Sequence, residues 1–219
     1  MPPIKSLLAI RILSGIGLLF SWIAVILQYI LLLQNNPDLS FAEATIRFIT
    51  FFTILSNILV AISFSVFFFR YPSSRSEFFL RPNTIAALTL YILIVGAVYN
   101  MILRNAWHPQ GLQKIVDEAL HSFIPAYYFI CWLLCFQKAF LPWKAILPWM
   151  VYPLTYLAVV MARGAITDYY PYPFLMVTKI GYPKVLLYCT FISFAFLLVG
   201  FAVIALSRAL KKSQAGSFR

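Results

Sequence analysis

Acidic side chains are scarce in this chain: six Asp and Glu stand among 219 residues, with two His and three Cys. Only 11% of the residues are charged, against about 25% in an ordinary soluble domain. That shortage excludes a globule covered in water. His108 and His121 are the only histidines, and no Cys/His spacing matches a zinc site, so no metal is expected. There is no P-loop and no G-x-G-x-x-G; nucleotide-driven work is not expected, and no cofactor is implied. Cys131, Cys135 and Cys189 all lie within apolar runs and read as free buried thiols. No Asn-x-Ser/Thr sequon occurs, so glycosylation is not expected either.

What the chain has in abundance is apolar length. Hydrophobic residues make up 63% of it, and the mean hydropathy is +0.88. The formal net charge of +11 is not a nucleic-acid signal, because the basic residues flank the apolar runs rather than forming a patch. A helix crosses the hydrocarbon core with about 20 apolar residues. Six runs qualify: 12–33, 48–69, 85–103, 119–136, 145–161 and 185–206. The first resembles a signal sequence but is long and lacks a small-x-small cleavage site, so it reads as a retained helix. Pro125, Pro148 and Pro153 fall in the fourth and fifth runs, which are expected to bend there. The stretches between the runs are too short for a soluble domain. Residues 1–219 therefore read as one all-α, polytopic bundle of six transmembrane helices. No internal repeat marks an inverted-repeat transporter.

Basic residues orient the bundle. Eleven fall on the side of the N-terminus, the second and fourth connections and the C-terminus, and six on the other, together the seventeen of the chain. By the positive-inside rule both termini are cytoplasmic. Thr53, His121, Asn100 and Asp168 then converge on the outer leaflet, although each is encoded in a different span or loop. The expected setting is an integral multi-pass membrane protein (the inner membrane, for a bacterial chain), with the bilayer and a lipid as partners and no nucleic acid. Nothing in the sequence fixes an oligomeric state.

Within the second run, Phe51-Phe52-Thr53-Ile54-Leu55-Ser56-Asn57 places three polar side chains where lipid offers no hydrogen-bond partner. Thr53 and Asn57, four apart, share a helix face. A threonine hydroxyl becomes a nucleophile when a base takes its proton, and imidazole suits that task near neutral pH. The structural alternative is a Thr53 hydroxyl bonded back to the carbonyl one turn earlier. His121 is either a cavity-facing base or an interface residue. Asp117, four residues before it, and Asp168 compete as the group that orients its ring. Asn57, Ser56, Ser122 and Asn100 are candidate donors for an oxyanion or a lipid head; Asn57 and Asn100 equally suit interhelical hydrogen bonds. The segment Arg163-Gly164-Ala165-Ile166-Thr167-Asp168-Tyr169-Tyr170-Pro171-Tyr172-Pro173-Phe174 is stiff and amphipathic. An aromatic belt accounts for its tyrosines but not for Arg163, which fits a carboxylate.

Three segments in order carry a resemblance: Phe52-Thr53-Ile54-Leu55-Ser56-Asn57; Leu120-His121-Ser122 with Pro125 and Trp132; and Tyr152-Pro153, Tyr156, Arg163-Gly164 and Tyr170-Pro171-Tyr172-Pro173-Phe174. Over about residues 45 to 184 the chain resembles the six-span androgen-induced membrane proteins, and its third segment looks most like their bacterial relatives. The resemblance implies an intramembrane hydrolase of fatty-acid esters of hydroxy fatty acids, with Thr53 as nucleophile and His121 as base. The expected function is thus lipid ester hydrolysis. Its rival is a non-enzymatic lipid-binding or transport protein that holds a fatty-acid carboxylate at Arg163 or His121. An intramembrane protease is disfavoured, since no Ser-His or paired-Asp arrangement lies within the spans.

Overall fold

A computed structural model describes residues 4–70, 78–105, 108–136 and 138–216. Arg75, Glu77 and Arg219, counted in the charge asymmetry, lie outside the described residues. Eight α-helices occur among those described: α1 (Ile4–Asn35), α2 (Phe41–Ile49), α3 (Phe52–Arg70), α4 (Pro82–Val98), α5 (Gly111–Glu118), α6 (Ile124–Leu134), α7 (Ile146–Thr167) and α8 (Val177–Gly216). Two π-helical segments join them, Tyr99–Leu103 after α4 and Ala119–Phe123 between α5 and α6. Five helices are long and apolar enough to cross a membrane: 7–35, 52–70, 82–103, 143–167 and 177–212. This is the build of an all-helical, multi-pass membrane protein. The continuous helical stretch 111–134 is less apolar, because Asp117, Glu118 and His121 lie within it.

The core is layered around α4, whose residues Ile85, Leu90 and Ile92 are fully buried. Large apolar side chains such as Leu19, Leu147 and Phe191 face outward on α1, α7 and α8, as a lipid-facing surface requires. The end of α1 with α2, the π-segment after α4 with the start of α5, and the end of α7 gather at one end of the bundle. Contacts between Asn35 and Gln113, and between Glu43 and Arg163, hold that end together.

The structure redraws two of the expected spans. The run 48–69 is not one helix: it breaks between Ile49 and Phe52. Upstream of the break, residues read as connection form the amphipathic α2, started by Ser40, whose hydroxyl accepts the Glu43 N–H at 3.2 Å. Thr53 therefore lies in the first turn of α3. The fourth helix also begins early, at Gly111, so His121 sits in mid-helix and not on a first turn.

Prolines explain the irregularities of the fourth and fifth runs. Proline has no N–H to return to the carbonyl four residues before it. Pro125 thus strips His121 O of its helix partner, and the helix loosens to a π-segment just upstream. Asn100 Nδ2 reaches His121 O at 3.4 Å, and Asn57 Nδ2 reaches the neighbouring Leu120 O at 3.2 Å. Pro153 does the same to Trp149 O, which accepts the Tyr91 hydroxyl at 2.8 Å.

Candidate functional site

The broken helix leaves backbone donors at the start of α3 without intrahelical partners. Two tyrosines from distant segments supply them. The Phe52 N–H donates to the Tyr156 hydroxyl at 3.2 Å, and that hydroxyl donates to Thr50 O at 2.8 Å. The Thr53 N–H donates to the Tyr172 hydroxyl at 3.3 Å, which also lies 3.4 Å from Thr53 Oγ1. Back-bonding to the preceding turn is seen at Thr50, whose hydroxyl donates to Ile46 O, while the Thr53 hydroxyl bonds Tyr172.

Tyr172 reaches this position because the chain reverses tightly after α7. Asp168 takes the left-handed conformation at φ 56° and its N–H donates to Gly164 O at 2.9 Å. The Tyr170 ring then lies against Gly164, where a Cβ would stand 2.1 Å from its edge. Only glycine leaves room for that ring.

His121 is held from two sides. Its Nδ1 lies 2.8 Å from Asp117 O and 3.3 Å from Asp117 Oδ1. A carbonyl oxygen only accepts, so Nδ1 carries the proton and Nε2 the free lone pair. The Tyr99 ring stacks on the imidazole with centroids 4.1 Å apart and planes at 17°. The Tyr99 hydroxyl donates to Asp117 Oδ2, so one carboxylate fixes both rings. Tyr99 and His121 stand on the two π-segments, a helix irregularity frequent at functional sites.

Thr53, Tyr99, His121 and Tyr172 line two cavities at once. One, of about 90 Å³, is apolar and runs between α4, α7 and α8 past Ile94, Leu157 and Phe196. The other, of about 470 Å³, is a more polar vestibule bounded by Gln28, Asn35, Gln113, Arg47 and Tyr169. At its rim Arg47 Nε and Arg163 Nη2 both donate to Glu43 Oε1, at 2.6 and 2.8 Å. The Arg47 hydrogen bond holds the Glu43 carboxyl below its ordinary pKa against the opposing effect of burial, with help from Arg163. Burial raises the pKa of the Tyr172 and Tyr169 hydroxyls.

The remaining candidates fall elsewhere. Asn57 is fully buried, and both hydrogens of its amide are spent on Thr53 O at 2.8 Å and Leu120 O. It ties the Thr53 turn to the His121 turn and has no donor left for an oxyanion. Ser56 faces the Tyr152 hydroxyl at 3.3 Å. Asn100 and Ser122 lie on an outward face, where Ser122 Oγ donates to Glu118 and accepts from Arg104. Asp168 is exposed, lines neither cavity and does not orient His121; it is the left-handed cap of α7. Tyr99 and Tyr156 went unread in the sequence as site residues, and Tyr172 read as part of an aromatic belt. No spacing rule links them to Thr53 or His121. No family model, curated protein or solved structure matches this chain.

Proposed function

We propose that the chain is an intramembrane lipid ester hydrolase, a six-span bundle with both termini cytoplasmic and its site toward the outer leaflet. The observation that carries this reading is the meeting of an apolar and a polar cavity at Thr53, beside a histidine whose free Nε2 lone pair is set by Asp117. An acyl chain would occupy the apolar cavity between α4, α7 and α8, and the polar part of the lipid the vestibule. Thr53 Oγ1 attacks the ester carbonyl while its proton passes to His121 Nε2. The tetrahedral intermediate collapses, the leaving alkoxide takes that proton, and the acyl group stays on Thr53. Water, deprotonated by His121, then attacks the acyl carbonyl; the Thr53 oxygen leaves and takes that proton back from His121, and the acid is released. The Tyr172 hydroxyl, 3.4 Å from Thr53 Oγ1, is the candidate donor to the developing oxyanion. This gives Tyr172 the role first sought in Asn57. Fatty-acid esters of hydroxy fatty acids, the substrates the family resemblance implies, fit a site with one apolar and one polar chamber.

One observation favours a second reading. Thr53 Oγ1 bonds to Tyr172 and, among the described residues, not to His121. A non-enzymatic lipid-binding or transport protein would use the same chambers without needing that proton transfer. Catalytic hydrogen bonds often tighten only with substrate in place, so activity decides. The wild-type protein in lipid should react with a fluorophosphonate ester and hydrolyse lipid esters. Thr53→Ala and His121→Ala should each abolish labelling and lower turnover by about 10⁴-fold or more. Saturable lipid binding by a protein with neither labelling nor turnover establishes the second reading instead.

A further inference from the structure

Arg47 on α2 and Arg163 on α7 share a single carboxylate, Glu43, through one oxygen. Two cations against one anion leave this cluster a surplus of positive charge, and of the three groups Arg47 lines the vestibule. The guanidinium carbons lie 4.3 and 4.9 Å from the centroid of the Tyr169 ring, which holds both planar groups in place. Neither arginine is fully satisfied. Among the described residues Arg47 engages only its Nε, and Arg163 Nη1 is buried with no hydrogen-bond partner. A buried unpaired donor is costly and rare in a finished structure. Planar forks with free N–H groups match the paired oxygens of a carboxylate or phosphate. Arg47 and Tyr169 line the same vestibule as Thr53 and His121.

We infer that Arg47 and Arg163 form an anion subsite that receives a negatively charged oxygen group on the polar part of the lipid. The inference rests on the lipid site proposed above and narrows it: the ligand is an anionic lipid, with its charge held at α2 and α7 and an acyl chain running past Thr53. Glu43 acts as an internal competitor that the ligand must outweigh. The rim thereby selects against neutral esters, which leave the surplus charge unanswered.

The test measures binding, independent of turnover, on full-length Thr53→Ala protein in nanodiscs of neutral lipid. The probes are an oleoyl monoglyceride, oleate and an oleoyl glycerol phosphate. At least one anionic probe should bind tenfold or more tightly than the monoglyceride. Arg47→Gln and Arg163→Gln should each erase most of that preference, bringing the anionic and neutral probes to similar affinity. Glu43→Gln, which removes the competing carboxylate, should tighten anion binding several-fold. Oleate as the tighter ligand identifies a carboxylate subsite, and the glycerol phosphate a phosphate subsite. Equal affinity for all three probes overturns the inference, as does an anion preference that persists in Arg47→Gln and fails to rise in Glu43→Gln. Anion binding by a wild-type protein that hydrolyses no ester would instead count against the esterase reading alone.

Discussion

Asp117 touches His121 with both its carbonyl and its carboxylate, and the Tyr99 hydroxyl occupies the second carboxylate oxygen. Replacing it by Asn keeps the shape and the carbonyl bond but removes the charge that stabilises an imidazolium. Asp117→Asn should lower the rate constant of ester hydrolysis by about 10²- to 10⁴-fold with little change in KM, read from steady-state kinetics on a soluble ester. Tyr172 is argued in the same way. Tyr172→Phe keeps the ring against Phe51 and Phe174 and removes only the hydroxyl beside Thr53. A loss of about 10- to 10³-fold in kcat at unchanged KM is expected. An effect on KM alone would make the hydroxyl a cap of α3 and nothing more.

At the scale of elements, prolines and their fillers decide the geometry. Pro125 and Pro153 each leave a carbonyl without its helix donor, and Asn100 and Tyr91 fill those places from neighbouring helices. The cost of losing a filler should depend on the proline that made the gap. Tyr91→Phe should destabilise the protein by about 1–3 kcal/mol, since Trp149 O is then buried without a partner. Pro153→Ala returns an N–H to that carbonyl and should recover part of the loss. Denaturation of the two single variants and the double variant in detergent measures this coupling; strict additivity would sink the explanation. The same logic tells why Asn57 and Asn100 were legible as polar residues out of place while their task was not. Their partners, Leu120 O and His121 O, are backbone acceptors in another helix, in the turn just before Pro125.

At the scale of the whole molecule, the site end collects α2, the start of α3, the Tyr99 and His121 π-segments and the 168–176 reversal. In the proposed topology this end faces the outer side. Reporter fusions at the N- and C-termini should both read cytoplasmic, and a cysteine placed in α2 should react with an impermeant thiol reagent from outside. Opposite results at the two termini would mean an odd number of crossings. The fate of the helical stretch 111–134 decides that number, because Asp117, Glu118 and His121 make it the least apolar of the six.

The sequence determined the helical membrane class, since in an unbroken apolar run of that length a helix satisfies every backbone group within itself. It also pointed to Thr53 and His121, because polar and ionisable groups are rare within apolar runs, and offered Asp117 and Asp168 as rival partners for the imidazole. Tertiary structure decided which of the scattered polar groups meet. Tyr172 lies 119 positions from Thr53 and Tyr156 lies 104 from Phe52. Their hydroxyls meet the start of α3 only because the 48–69 run breaks and Gly164 lets the loop fold back. Helix period reports which face a residue occupies; it carries no information on what packs against that face. That is why Asp168 looked equal to Asp117 in the sequence and stands apart from His121 in space.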